Sequence, residues 1–135
     1  MAKILVVDDN EQLRDLLKDV VESWGYEVLE ASQGRSCLAL AQKEHPNIIL
    51  LDVMLPGLSG YEVCQSLKED PSTHDISIIM VSALTDVEDR IHGFKVGADN
   101  FLVKPINYEE LRAIVTKHLN EQQYQATLAK HTTGR

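Results

Sequence analysis

Short runs of consecutive apolar residues alternate along this chain with longer stretches whose apolar positions recur every three or four residues. The runs Ile4-Leu5-Val6-Val7, Ile48-Ile49-Leu50-Leu51, Ile78-Ile79-Met80-Val81 and Phe101-Leu102-Val103 read as buried strands. Across residues 10–24, Leu13, Leu16, Leu17, Val20, Val21 and Trp24 share one helical face. The pattern predicts strands over Lys3–Val7, Tyr26–Glu30, Asn47–Leu51, Ile76–Val81 and Ala98–Val103, each followed by a helix. Tyr26–Glu30 is polar enough for an edge, whereas Asn47–Leu51 suits a central parallel strand covered on both faces.

Local signals place the helix ends. Gly25 stops the first helix. The second spans residues 34–44, with Cys37, Leu40 and Ala41 inward and Pro46 just beyond. Ser59-Gly60-Tyr61-Glu62 and Thr85-Asp86-Val87-Glu88 read as capping boxes opening the third and fourth helices. Asp70-Pro71 breaks the third, and the fourth ends near Gly97. Asn107-Tyr108-Glu109-Glu110 opens the last, which turns Leu111, Ile114, Val115, His118 and Leu119 inward.

A regular strand–helix period with short loops implies an α/β fold, a doubly wound five-stranded parallel sheet with helices on both faces. The flavodoxin-like order 2-1-3-4-5 brings strands one and three together. One domain is expected over residues 1–120. Residues 121–135 lose the apolar stripe and read as a helix extension of a turn or two, a linker, or a disordered tail.

A formal charge of −8 argues against direct nucleic-acid binding and against an anionic membrane surface. No apolar stretch approaches the roughly 18 residues of a membrane span. Met1-Ala2-Lys3-Ile4 runs straight into a strand with no room for a signal peptide, so a cytoplasmic location is expected. Cys37 and Cys64 lack metal-ligand spacing and read as small core residues. His45, His74, His92, His118 and His131 share no ligand spacing either and read as surface or interface residues. Lys68-Glu69-Asp70 and Asp86–Arg90 read as solvated helix faces.

The candidate chemistry lies at the carboxyl ends of the strands, where open α/β sheets bind ligands. There Asp8-Asp9, Asp52 and Lys104 close three apolar runs, a formal −3 + 1 = −2 in one small region. Like-charge repulsion makes that costly unless a cation is present. An all-oxygen set suits Mg²⁺, with Mn²⁺ as an alternative, better than zinc. Asp52, single and central, is the natural nucleophile toward a phosphoryl group, with Asp8 and Asp9 holding the metal from the side. Lys104 and the Ser82 hydroxyl can neutralise phosphoryl oxygens, and small Ala83 leaves room for a donor to approach.

Asp8-Asp9, Asp52, Ser82-Ala83 and Lys104-Pro105, with Phe101 three before the lysine, resemble the receiver domain of bacterial response regulators. The resemblance covers about residues 3–120 and includes Leu51-Asp52-Val53-Met54-Leu55-Pro56-Gly57-Leu58-Ser59-Gly60 and Gly97-Ala98-Asp99-Asn100-Phe101-Leu102-Val103-Lys104-Pro105. It implies that Asp52 accepts a phosphoryl group from the phosphohistidine of a sensor histidine kinase or phosphotransfer protein. Asp9, Asp52 and the Met54 backbone carbonyl would ligate Mg²⁺, with Asp8 helping directly or through water. Lys104, joined to Pro105 by a cis bond, would bind the phosphoryl group. Ser82 would move toward it and Phe101 would turn inward, remodelling the face made by helix four, strand five and helix five. That face would then meet a downstream effector or an output domain outside this chain.

The resemblance implies a phosphoacceptor switch rather than an enzyme with a separate substrate. Ile106 stands where the winged-helix transcription-factor branch usually has Phe, which lowers the expectation of that branch's dimer; a phosphorylation-dependent homodimer stays open. Apolar Met54 and Leu84 cannot orient an attacking water, so a long-lived acyl phosphate is expected. A phosphatase of the haloacid dehalogenase family would need an Asp where Met54 stands. A flavin carrier would need a phosphate-binding turn after strand one, where this chain is acidic. A scaffold without phosphorylation is the third alternative, against which the intact acidic set speaks.

Overall fold

β3 (Ile48–Asp52) is buried at every position, which a strand achieves when helices cover both faces of its sheet. The computed structural model describes residues 1–83 and 86–133, the last three by their backbone. Along it alternate β1 (Lys3–Val7), α1 (Glu11–Ser23), β2 (Glu27–Ala31), α2 (Gly34–Glu44), β3, α3 (Gly60–Glu69), β4 (Ser77–Ser82), α4 (Val87–Lys95), β5 (Asn100–Val103) and α5 (Tyr108–Thr133). The strands form one parallel sheet ordered β2-β1-β3-β4-β5, the arrangement expected from the sequence.

Alternate strand residues point to opposite faces, and this sorts the apolar runs into two cores. Ile4, Val6, Ile48, Leu50, Ile79, Val81 and Leu102 meet Leu17 and Val21 of α1 and Leu111 and Val115 of α5. Leu5, Val7, Ile49, Leu51, Ile78, Met80 and Phe101 meet α2 and α3 through Cys37, Ala41, Val63, Cys64 and Leu67. Both cysteines are buried and free. Burial pushes the Cys37 thiol up to about 12 and the Cys64 thiol to about 11, so both stay protonated and act as packing groups.

The ends of elements depart from expectation by small, explicable amounts. The Gly25 turn, at φ +94°, delays β2 to Glu27. β3 and β4 run on through Asp52 and Ser82, because parallel partners continue to pair there. β5 starts only at Asn100, since the Ala98 N–H turns back to the Gly93 carbonyl of α4. Asn10 caps α1 by accepting from the Leu13 N–H, and α1 buries Leu17 and Val21 while Leu16 faces outward. The Ser59/Glu62 capping box on α3 forms in both directions. α4 instead begins one residue late, with Asp86 accepting from the Glu88 N–H. Thr85, the expected cap, lies outside the described residues.

Three polar residues depart further. Lys68 is no solvated lysine: it pairs with Asp99 at 2.8 Å and donates to the Ile76 carbonyl at 2.7 Å, its stem lying under the Gly97 turn. His118 is buried, as its place on the inner face of the last helix implies and unlike a surface histidine, 3.5 Å from the Asn100 amide and 3.6 Å from Glu121. Gln122 donates to the Asn47 carbonyl at 2.7 Å and the Ser77 hydroxyl at 2.8 Å. That clamp holds α5 on the amino edge of the sheet, and the helix continues to Thr133 rather than ending a turn or two past residue 120. No helix among the described residues is long and apolar enough to cross a membrane.

Candidate acidic site at the carboxyl edge of the sheet

Sheet register brings the site together. Val7 pairs with Leu51, so Asp8 and Asp52 leave β1 and β3 at one level. Asp52 pairs with Val81 and Ser82 with Val103, which puts Ser82 and Lys104 each one step further along the same edge. The loop after Asp52 folds back sharply: the Gly60 N–H donates to the Val53 carbonyl at 2.9 Å. A Cβ on Gly60 would lie 2.3 Å from the Asp52 carbonyl oxygen, so only glycine admits this approach.

Lys104 bridges the two buried acids. Its Nζ donates to Asp8 Oδ2 at 3.0 Å and lies 3.6 Å from Asp52 Oδ2. The remaining oxygens are also held: the Asn10 N–H donates to Asp8 Oδ1 at 2.9 Å and the Met54 N–H to Asp52 Oδ1 at 3.1 Å. Arg14 Nη1 donates to the Asp8 carbonyl at 2.7 Å. Asp8 and Asp52 are 2% and 4% exposed, whereas Asp9 is open to solvent. Burial, followed by the Asp8 charge, pushes the Asp52 carboxyl up to about 6, against the opposing pull of the Met54 N–H and Lys104.

Ligand atoms of Asp8, Asp9 and Asp52 all lie within 4.8 Å of one another. Opposite oxygens around an octahedral Mg²⁺ at about 2.1 Å stand about 4.2 Å apart, so the spacing and the all-oxygen chemistry suit a hard divalent ion. Removing the one lysine that bridges the pair should expose their repulsion. We expect Lys104→Met to lower the unfolding free energy by about 2 kcal/mol in metal-free buffer, read by urea denaturation. Millimolar Mg²⁺ should restore most of that loss.

The other expected residues occupy the same edge. Ser82 is fully buried, and its carbonyl accepts from the Lys104 N–H at 2.8 Å. The Lys104–Pro105 bond is cis. Phe101 is already turned in, 9% exposed, with the Arg90 guanidinium 5.8 Å from its ring centroid. The Met54 N–H serves Asp52, while its side chain is exposed at the rim; Leu84 lies outside the described residues. Arg14 carries no sequence signal and Arg90 reads only as part of a solvated helix face, because Arg14's partners, the Asp8 carbonyl and Glu30, and Arg90's, the Phe101 ring, are brought close only by folding. Gly60 carries a sequence signal as part of a capping box and as the end of the stretch 51–60 that resembles the family's phosphoacceptor loop. Neither shows that its α-carbon meets the Asp52 carbonyl.

Residues 4–116 match the response regulator receiver domain family. A probable transcriptional regulator, ycf27, of Galdieria sulphuraria is 50% identical over 111 residues, 82% of this chain and 42% of its own length. The DNA-binding dual master transcriptional regulator RpaA of Synechocystis sp. is 40% identical over 132 residues, 98% of this chain and 55% of its own length. This chain thus spans about half the length of the curated relatives it matches. Among solved structures, chemotaxis protein CheY4 of Vibrio cholerae superposes with a TM-score of 0.82 at 35% identity, covering 87% of this chain and 98% of that one. A shared sheet order, the acidic edge and identities at this level leave one conclusion: the chain belongs to the response regulator receiver domain family of two-component signalling.

Proposed function

We propose that this chain is a Mg²⁺-dependent phosphoacceptor switch in which Asp52 takes a phosphoryl group from the phosphohistidine of a sensor histidine kinase or a phosphotransfer protein. The observation that carries the reading is the Lys104 ammonium lying between two buried carboxylates, 3.0 Å from Asp8 and 3.6 Å from Asp52. A cation so placed can transfer its contact from Asp52 to a phosphoryl oxygen once Asp52 becomes an acyl phosphate, a mixed anhydride whose carboxyl no longer carries charge. Asp52 attacks phosphorus with one carboxylate oxygen, the donor's P–N bond breaks, and the electron pair leaves with the imidazole nitrogen.

Asp9, Asp52 and the Met54 carbonyl, with Asp8 alongside, would hold the metal. Mg²⁺, or Mn²⁺ on the same oxygens, supplies neutralisation of phosphoryl charge. Asp8 stays fixed by the Asn10 N–H, so it holds its place while Asp52 reacts. Ser82 and Lys104 offer donors to the phosphoryl oxygens, and their contacts bias the surface of α4, β5 and α5 between two arrangements. Exposed Val87, Ile91 and Phe94 make that surface apolar, as partner contacts require. Named relatives are transcriptional regulators of about twice this length, so the switch serves an output domain or a separate effector in the cytoplasm. The chain's acidity argues against DNA contact by this domain itself. It turns over no separate substrate, and a phosphorylation-dependent homodimer is compatible with the same surface.

Intact-mass measurement after incubation with acetyl phosphate tests the reading. One added phosphoryl group that requires Mg²⁺ supports it; no adduct, where a known receiver is labelled, supports the scaffold alternative. A second expectation concerns lifetime. Exposed, apolar Met54 offers no polar group to a hydrolytic water, so Met54→Asn or Leu84→Asn should speed loss of the adduct by about tenfold. Decay at the wild-type rate in both would remove that explanation.

A further inference from the structure

α4 is lightly held. Among the described residues Gly93 is the one it buries, while Val87, Ile91 and Phe94 face solvent. Gly93 rests on Met80 and Phe101, where an added Cβ would lie 3.1 Å and 3.4 Å away, and Arg90 reaches over the Phe101 ring. The other hold is to α3. The His92 ring lies flat on Tyr61, centroids 4.0 Å apart and planes 15° from parallel. The Tyr61 hydroxyl also donates to the Asp89 carbonyl at 3.3 Å.

Tyr61 is in turn tied to the backbone of Asp52. It follows Gly60, whose N–H bonds to the Val53 carbonyl at 2.9 Å and whose α-carbon sits against the Asp52 carbonyl with no room for a Cβ. The first turn of α3 is also pinned by the Ser59/Glu62 capping box. A displacement of the Asp52–Val53 backbone therefore moves Tyr61, and the ring beneath His92 moves with it.

We infer that Tyr61 is a positioning residue that couples the Asp52 loop to α4 through its stack on His92. It would make a second route beside the one that the family resemblance implies through Ser82 and Phe101. The inference rests on the reading of Asp52 as the phosphoacceptor. Its physical basis is that packed elements respond to small shifts by repacking between discrete arrangements, and a contact made differently in the two arrangements biases their populations. Ring pairs favour particular offsets, so a displacement of Tyr61 changes the energy of its stack on His92.

Hydrogen exchange read by mass spectrometry on the whole chain, with and without acetyl phosphate and Mg²⁺, tests it. The quantity is the ratio of exchange rates in α4 between labelled and unlabelled protein, with β5 as internal reference. Tyr61→Leu and His92→Leu should take the label yet shrink the α4 ratio by about fivefold while the β5 response persists. Tyr61→Phe, which keeps the ring and loses only the hydroxyl, should retain most of the wild-type ratio. A contact with only a structural role would speed α4 exchange equally in both states and leave the ratio intact, and that result overturns the inference. So does a wild-type ratio in both leucine variants. Absence of label on the wild type instead removes the reading of Asp52, and the coupling with it.

Discussion

Asp52→Asn should abolish the phosphoryl adduct and, without metal, raise the unfolding free energy at pH 7 by up to about 3 kcal/mol. Both effects come from one carboxylate. Asp52 is buried beside Asp8, and its carboxyl is pushed from 3.8 up to about 6 in the folded chain. The folded state therefore holds that proton more tightly than the unfolded chain does. Stability from this group is fully present below pH 3.8 and is lost as pH rises through about 6, where the buried charge forms. Asn has no charge to form, so the variant's advantage should grow between about pH 4 and pH 6 and then level off. Its Oδ1 can still accept from the Met54 N–H, which keeps the loop in place. Urea denaturation at a series of pH values reads this directly. An advantage of equal size at pH 3.5 and pH 7 would mean that packing, not charge, is responsible. Added Mg²⁺ should narrow the gap by stabilising the wild type more than the variant, since binding to the folded state alone raises stability.

Gly60→Ala should destabilise the chain by about 3 kcal/mol and slow labelling of Asp52 as well. The new methyl would meet backbone, not a flexible side chain: the Asp52 carbonyl oxygen at 2.3 Å and the Val53 α-carbon at 2.7 Å. Backbone in a central parallel strand cannot yield without breaking its ladder to β1 and β4. Relief must come from the α3 end, which shifts the loop that presents the Met54 N–H to Asp52. Gly57→Ala makes a useful contrast. At φ +77° it is strained, but nothing lies within 4 Å of its Cβ, so its cost should be about 1 kcal/mol with labelling unaffected. Equal effects of the two substitutions on labelling would show that close approach at Gly60 does not position the acceptor.

Much of this molecule was legible from its sequence for a local reason. Apolar runs such as Ile48–Leu51 can be buried on both faces only in a covered parallel sheet, and the charged residue ending each run then falls on one edge. Asp8, Asp9, Asp52 and Lys104 are legible in this way, and Ser82 follows the fourth apolar run to the same edge. Polar anchors were harder to read. Gln122 and Lys68 look like solvent residues by type, yet each is satisfied by a partner far along the chain: Ser77 and Asp99 respectively. The length of α5 is not legible in an apolar stripe, and one hold on it beyond residue 120 is the Gln122 clamp.

The sequence by itself determined the alternation of strand and helix, the order in which charged residues reach the carboxyl edge, and the family, since periodicity and motif spacing are properties of the chain. Only the tertiary structure decided that Asp8 is buried while its neighbour Asp9 is open, because folding brings Lys104, from just past β5, onto Asp8 and leaves Asp9 in solvent. It alone decided that Lys104 bridges Asp8 and Asp52, that Gly60 must lack a side chain, and that Tyr61 lies under His92. Each of these depends on the separation between elements far apart in sequence, which is set by how the two cores pack and not by any local pattern.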